Sequence, residues 1–107
     1  MTEEEIRKQI GLLMDVDRFI EIEIRLTELR KDEDGKLAAL AELQKAYLSA
    51  TTDEEQEMVK QTVGRIRELS RTTRLEIRAL NQEIVQHMTL EKAKQLYEML
   101  LQAKSSS

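Results

Sequence analysis

His87, the one histidine of the chain, is the first candidate for chemistry because possible metal ligands surround it. Glu83 lies four residues before it and Glu91 four residues after it, a spacing that brings side chains to one face of a helix. Met88 would add a soft sulfur ligand. Thr89 is expected to interrupt the helix and to turn Glu91 away, which leaves the set one ligand short. We expect a structural or solvated histidine and no metal or cofactor; a site shared across a dimer is the alternative.

Other catalytic arrangements have little basis in the sequence. One histidine and no cysteine leave no Ser/His/Asp or Cys/His arrangement to assemble with assurance. No glycine-rich stretch could hold a phosphate group. Carboxylates are numerous, but on exposed helix faces they titrate normally and do no acid–base catalysis. The sequence predicts that the protein is not an enzyme.

Two hydroxyl residues, Ser70 and Thr73, interrupt an otherwise aliphatic pattern and invite two interpretations. They could loosen the core around a bound ligand. Alternatively, each hydroxyl bonds the backbone carbonyl four residues earlier, or the pair forms a polar layer that sets the register of neighbouring helices. We favour the second interpretation.

Five arginines lie within residues 65–78. Four of them repeat at steps of four, three and four and form one stripe: Arg67, Arg71, Arg74 and Arg78; the fifth is Arg65. A basic stripe could attract acidic or unfolded partners. The alternative, which we favour, is pairing with acidic residues of a facing helix, namely Glu21, Glu23 and Glu28.

The five methionines are scattered along the chain: Met1, Met14, Met58, Met88 and Met99. Clustered thioethers can bind copper(I) or adapt to varied protein partners. Because they are scattered here, Met14, Met58 and Met99 are expected to fill gaps in the core.

The element that must position these residues is a helix over about 52–87. Its apolar residues recur in steps of four and three, which places them on one face. We predict that this face forms the core of a helical hairpin through Val59, Val63, Ile66, Ile77, Leu80 and Ile84. A helix of this length spans roughly 50 Å, so its neighbours must run alongside it.

The first half of the chain predicts a second long helix, over about 3–49, that opens with a Thr2/Glu5 capping box. Its apolar residues form two arcs, and two arcs imply two contact surfaces. We assign one arc to the hairpin partner. The other would be exposed on a monomer and is predicted to form a dimer interface through Phe19, Ile22, Leu26 and Leu29. Alternating residues over 19–26 leave a strand as the minor alternative.

Breaks are few, since the chain has no proline and three glycines. Residues 31–36 could interrupt the first helix, although a continuous helix is favoured. The short turn at 49–52, followed by a Thr52/Glu55 capping box, makes the two long helices antiparallel neighbours. Thr89 is expected to cap a short last helix. We predict one domain over 1–104 and a disordered tail over 105–107.

Composition excludes several classes of partner. Charged residues make up 36% of the chain and the net charge is −4 without a basic block, which argues against nucleic-acid binding. No apolar run approaches a membrane span, so no membrane insertion is expected. The fold class is all-α, a long antiparallel helical hairpin with a short C-terminal helix, dimeric and coiled-coil-like.

From residue 49 onward, the order of features resembles the Spy/CpxP-like periplasmic and heavy-metal-resistance superfamily. The similarity consists of a long helix, a capped turn (TTDEE), a second long helix, and Met88-Thr89-Leu90-Glu91-Lys92 in the place of the family's LTxxQ-type segment. Thr89 and Glu91 match that segment. The resemblance implies a dimer of helical hairpins acting as an ATP-independent chaperone or as a sensor of envelope stress or metal.

Three functions follow as hypotheses. The first is an exported helical-hairpin binding protein of the Spy/CpxP-like kind, periplasmic if a leader precedes this sequence and acting on unfolded clients. The second is a cytoplasmic adaptor or dimerisation module that binds a partner protein's helix. The third is an enzyme, because residues 6–20 loosely look like the first helix of small all-helical chorismate mutases. A protein partner and a homodimer are expected in the first two.

Overall fold

The computed structural model describes residues 1–106, and it is all-helical. Its four helices are α1 (Glu3–Gly11), α2 (Val16–Ser49), α3 (Asp53–Val85) and α4 (Leu90–Ser105). Helices α2 and α3 form the long hairpin and α4 is the short C-terminal helix, so the predicted fold class is confirmed. No strand occurs within residues 1–106; the alternating stretch 19–26 is part of α2. None of these helices carries an apolar run long enough to cross a bilayer.

The first long helix is interrupted, which the sequence interpretation missed. Residues 12–15 separate α1 from α2, and the favoured continuous helix over 3–49 is therefore wrong at its start. The Asp15 carboxylate accepts a hydrogen bond from the backbone N–H of Arg18 at 2.8 Å, so Asp15 caps α2. The same interruption divides the stretch 6–20 that looks like a mutase helix. Residues 31–36, in contrast, lie inside α2 without a break.

The predicted turn and N-caps are confirmed, but the glutamates of the two capping boxes bond differently: Glu55 accepts from the N–H of Thr51, and Glu5 accepts from the Thr2 hydroxyl. Three residues, 50–52, join α2 to α3, and the Thr52 hydroxyl accepts from the N–H of Glu55 at 3.2 Å. Thr2 caps α1 and Thr89 caps α4 in the same way. The tail prediction is wrong at Ser105, which is the last residue of α4; Ser107 lies outside the described residues.

Backbone contacts divide the chain into two compact units where one domain was predicted. The terminal unit comprises residues 1–27 and 78–106, and the turn unit comprises residues 28–77. The terminal unit holds most of the buried apolar side chains: Ile6, Ile10, Met14, Phe19, Ile22, Leu26, Ile84, Met88, Ala93, Leu96 and Leu100. Helix α1 packs on α4 there, and the ring of Phe19 meets the edge of Tyr97 at 6.4 Å between centroids.

The four residues predicted to be exposed on a monomer are buried within the single chain. Phe19 and Ile22 are 0% exposed, and Leu26 is 1% exposed. Leu29, in the turn unit, is 5% exposed. Because α1 is a separate helix that packs on α4, the terminal unit has four helical segments, and these bury Phe19, Ile22 and Leu26. The apolar patch invoked for the dimer interface does not exist on this surface.

Candidate functional site

The histidine set is not assembled. Both carboxylate oxygens of Glu83 accept hydrogen bonds from Arg18, at 2.6 Å from Nε and 2.7 Å from Nη2. His87 is exposed in the connection between α3 and α4, whereas Met88 is buried. No group of three or more carboxylate, histidine or cysteine side chains able to share a metal occurs within residues 1–106.

The Arg18–Glu83 pair joins α2 to α3 inside the terminal unit. The hydrogen bond to Arg18 is the main cause that holds the pKa of the Glu83 carboxyl below its ordinary value, and the charge of His87 acts in the same direction. The same bond raises the pKa of the Arg18 guanidinium. Nearby, burial raises the pKa of the Tyr97 hydroxyl, with a smaller contribution from the charge of Glu23. Of these groups, Arg18 and Glu83 hold α2 and α3 together.

The predicted hairpin stripe forms the least exposed face of α3, but most of it is not a closed core. Ile84 is fully buried, whereas the other predicted core residues are half-buried: Val59, Val63, Ile66, Ile77 and Leu80. The methionine prediction is similarly mixed. Met14 is buried, Met99 is half-buried, and Met58 is 70% exposed and fills no core gap.

Ser70 and Thr73 belong to a polar layer within the turn unit, as the favoured interpretation predicts. The Ser70 hydroxyl donates to the Glu33 carboxylate at 2.6 Å. The Lys36 ammonium donates to Thr73 Oγ1 at 2.6 Å and to Asp32 at 2.5 Å. We call these five residues the polar layer. Thr73 also lies 3.1 Å from the carbonyl oxygen four residues earlier, the predicted local bond. The hydroxyl, carboxylate and ammonium groups of the layer are hydrogen-bonded to one another.

Beyond the polar layer, towards the turn, an open groove of about 620 Å³ lies between α2 and α3. Ten residues of the turn unit line it: Leu37, Leu40, Ala41, Leu43, Gln44, Tyr47, Val59, Lys60, Val63 and Arg67. Most of them are apolar. A two-helix layer cannot enclose such residues, because each helix has only one neighbour within the unit.

An exposed and mostly apolar stripe of α2 begins at the groove and continues one turn beyond it. Leu37, Ala41, Gln44 and Leu48 follow one another at steps of four, three and four, which keeps them on one face. Leu37 is 55% exposed and Leu48 is 77% exposed. The sequence analysis predicted no site at these residues, although the same spacing rule would have revealed the stripe.

The α3 side of the groove is cationic. Lys60 lies over the ring of Tyr47, 5.9 Å from its centroid, and Arg67 stands two helical turns further on. Within the described part of the chain, Arg67 and Arg71 make no ion pair. We call the two stripes together, with the groove between them, the turn-unit face.

Two contacts depart from the predicted pairing of the arginine stripe. Arg74, a member of the stripe, approaches Glu33 at 3.7 Å, and Glu33 is not one of the predicted acidic partners. Glu21 is bound by Arg18 at 2.9 Å. Glu21 was predicted to pair with an arginine of α3, but Arg18, three residues before it on α2, binds it instead.

No protein-family model matches the chain, and neither the curated proteins nor the solved structures include a significant match. The geometry of the turn-unit face therefore has to be interpreted from its own chemistry. An apolar stripe beside a row of cations is typical of a surface that binds an amphipathic segment. A second open pocket, of about 490 Å³ between α1 and α4, lacks such a row; its lining is Met1, Thr2, Glu3, Ile6, Met99, Gln102, Ala103 and Ser106.

Proposed function

We propose that this protein is a non-enzymatic helical-hairpin binding protein whose turn-unit face binds an apolar segment of another protein. The observation that carries the proposal is the groove between α2 and α3, whose apolar lining stays open to solvent. Leu37 lines it and is 55% exposed, and Leu48, four residues beyond the lining residue Gln44 on α2, is 77% exposed. Exposed apolar surface arranged in one stripe marks an interaction site more often than scattered apolar residues do.

The face also specifies the chemistry of the segment. From Leu37 to Leu48 the α2 stripe runs roughly 16 Å, about three helical turns. A helix with apolar residues at positions i, i+4, i+7 and i+11 matches that length. Lys60, Arg67 and Arg71 would meet carboxylates along one edge of the bound helix, and such charge complementarity favours acidic segments over basic ones.

Two versions of this function differ in the client. The Spy/CpxP-like resemblance supports an ATP-independent chaperone that takes unfolded segments in the periplasm, or a sensor of stress in that compartment. The cationic row beside the groove supports the second version, an adaptor that docks one acidic amphipathic helix, because a general chaperone gains little from selecting charge.

A binding experiment separates the versions. The full chain is titrated into a labelled 20-residue helical peptide with leucines at the stated spacing and glutamates along one edge, and fluorescence anisotropy is recorded. Aggregation of a reduced, carboxymethylated model protein is followed in parallel. Selective peptide binding supports the adaptor, and suppressed aggregation supports the chaperone. If the chain at about 100 μM neither binds the peptide nor suppresses aggregation, the proposal is refuted.

Variants locate the site. Leu37→Glu and Leu48→Glu put charge into the apolar stripe at exposed positions, so folding should be retained while the affinity falls about tenfold or more. Leu69→Glu is the matched control, because Leu69 is 59% exposed, lies on α3 and belongs neither to the α2 stripe nor to the groove lining. Equal losses in all three variants would place the site elsewhere.

A further inference from the structure

A stripe along α3 has a charge order that is complementary to itself. It consists of Glu57, Lys60, Gly64, Glu68 and Arg71, at steps of three, four, four and three. At about 100° per residue these positions fall within one face of the helix. All five are exposed, and Lys60 also lines the groove, so the stripe borders the turn-unit face. We call it the Gly64 stripe.

The order matters because it reverses sign about its centre. Glu57 and Arg71 each lie seven residues from Gly64, about 10 Å along the axis, and their charges are opposite. Lys60 and Glu68 each lie four residues from Gly64, and their charges are opposite too. A second identical helix laid antiparallel across Gly64 would place acid on base at all four of these positions. A parallel copy would place like charges together.

Gly64 itself leaves room for such a neighbour. A Cβ built at this position would meet no atom within 4 Å, so open space lies in front of the backbone. Because glycine has no side chain, two backbones can approach closely where two copies cross. Charges on an exposed surface contribute little affinity but do select orientation. The apolar area that drives association is supplied by the adjacent α2 stripe, in particular Leu37 and Leu48.

We propose that a second copy of this chain docks antiparallel on the turn-unit face, about a two-fold axis near Gly64, when no other protein occupies it. The inference rests on the proposed function, because it names the occupant of the same face. In this isologous dimer Glu57 of each copy meets Arg71 of the other, and Lys60 meets Glu68. An incoming helix must displace the second copy, so self-association regulates access to the groove.

The test is charge exchange in the full chain, measured by sedimentation equilibrium. Wild type is expected to dimerise at about 50 μM, and more weakly as salt rises from about 0.05 to 0.5 M. Glu57→Lys alone and Arg71→Glu alone should each be monomeric, since each variant sets like charges against each other twice per dimer. A mixture of the two should dimerise, because both contacts are then attractive. Arg65→Glu is the matched control and should leave the dimer intact.

Cross-linking checks the axis independently. The sequence has no cysteine, so Gly64→Cys introduces the only thiol. It should form an intermolecular disulfide under mild oxidation at least about tenfold faster than Arg65→Cys, which points away from the axis. Equal rates of disulfide formation in the two cysteine variants would overturn the proposal. So would dimers formed by Glu57→Lys alone and by Arg71→Glu alone.

The two proposals fail in different ways. A monomeric wild type at about 200 μM that still binds the acidic peptide overturns self-docking and leaves the proposed function standing. If wild type dimerises and the charge variants behave as expected, but the chain does not bind the peptide and the peptide does not dissociate the dimer, self-docking is supported and the proposed function is overturned. Competition, in which the peptide converts dimer to a chain–peptide complex, supports both.

Discussion

Arg18 and Glu83 are joined by two parallel hydrogen bonds, from Nε to Oε2 at 2.6 Å and from Nη2 to Oε1 at 2.7 Å. This two-pronged contact fixes the beginning of α2 against the end of α3. Because it engages both oxygens of the carboxylate, it is more sensitive to geometry than an ordinary surface ion pair.

The first prediction concerns pH. Arg18 lowers the pKa of Glu83 from its ordinary value of 4.5, so below that value the unfolded chain takes up a proton more readily than the folded chain. The stabilisation is therefore complete above the unfolded pKa and is lost as the pH falls through the folded pKa. Glu83→Gln should lower the free energy of unfolding at pH 7, and the difference from wild type should shrink below about pH 4.5 in urea titrations.

The matched control is Glu91→Gln, which removes a carboxylate of α4 that makes no ion pair within the described residues. Its difference from wild type should stay small at both ends of the pH range. If Glu83→Gln behaved like this control, the pair would contribute nothing to folding.

The second prediction concerns the core of the terminal unit. Phe19 is fully buried and meets Tyr97 edge to face, so Phe19→Ala should lower the free energy of unfolding by about 3–5 kcal/mol. Leu12→Ala is the control, because Leu12 is 87% exposed in the α1–α2 connection, and it should change stability by less than about 0.5 kcal/mol. Chemical denaturation of both variants decides the point; similar costs would show that Phe19 is not core.

The third prediction concerns the polar layer. Lys36→Met removes the ammonium that bonds Asp32 and Thr73, and leaves the buried Thr73 hydroxyl without that donor. We expect a loss of about 1–3 kcal/mol in the free energy of unfolding. Lys45→Met is the comparison, since Lys45 is 75% exposed and pairs with Glu42 at 3.5 Å; it should cost less than about 1 kcal/mol. A neutral or stabilising Lys36→Met would mean that the layer sets register only.

The fourth prediction concerns the start of α2. Asp15→Ala removes the cap on the N–H of Arg18 and should cost about 0.5–2 kcal/mol, with faster amide exchange in the first turn of α2. Asp15→Asn keeps an acceptor in the same place and should retain most of the stability. An alanine variant as stable as wild type would show that tertiary packing alone holds the interruption.

The fifth prediction compares two isoleucines of the same stripe. Ile84 is 0% exposed, so Ile84→Ala should cost about 2–5 kcal/mol. Ile66 is half-buried beside the polar layer, and Ile66→Ala should cost roughly half as much. Equal costs in thermal and urea unfolding would contradict the difference in burial between the two positions.

Spacing was enough to predict the long helices and the contact face of α3. Steps of four and three from Val59 to Ile84 identify the face correctly, because helix geometry alone fixes which side chains share it. The hydroxyls of Ser70 and Thr73 were also interpreted correctly. Their short side chains reach neighbouring backbone and carboxylate groups wherever a helix packs closely on them.

The interruption at residues 12–15 could not be predicted from the same rule. The aliphatic pattern continues through Leu12, Leu13 and Val16, so periodicity indicates an unbroken helix. Gly11 followed by Asp15 was a weak signal for an end and a new cap. What decides the break is the burial of α1 against α4, a contact between the two ends of the chain that no local pattern contains. The dimer interface assigned to Phe19 was wrong for the same reason.

The polar layer has a consequence for changes in chain length. Asp32, Glu33 and Lys36 on α2 are matched to Ser70 and Thr73 on α3 at a fixed number of residues from the turn. Deleting one helical turn on a single side would set these charges opposite aliphatic residues. A shortened or extended variant of this hairpin must therefore lose or gain the same number of residues in α2 and in α3, in whole seven-residue blocks.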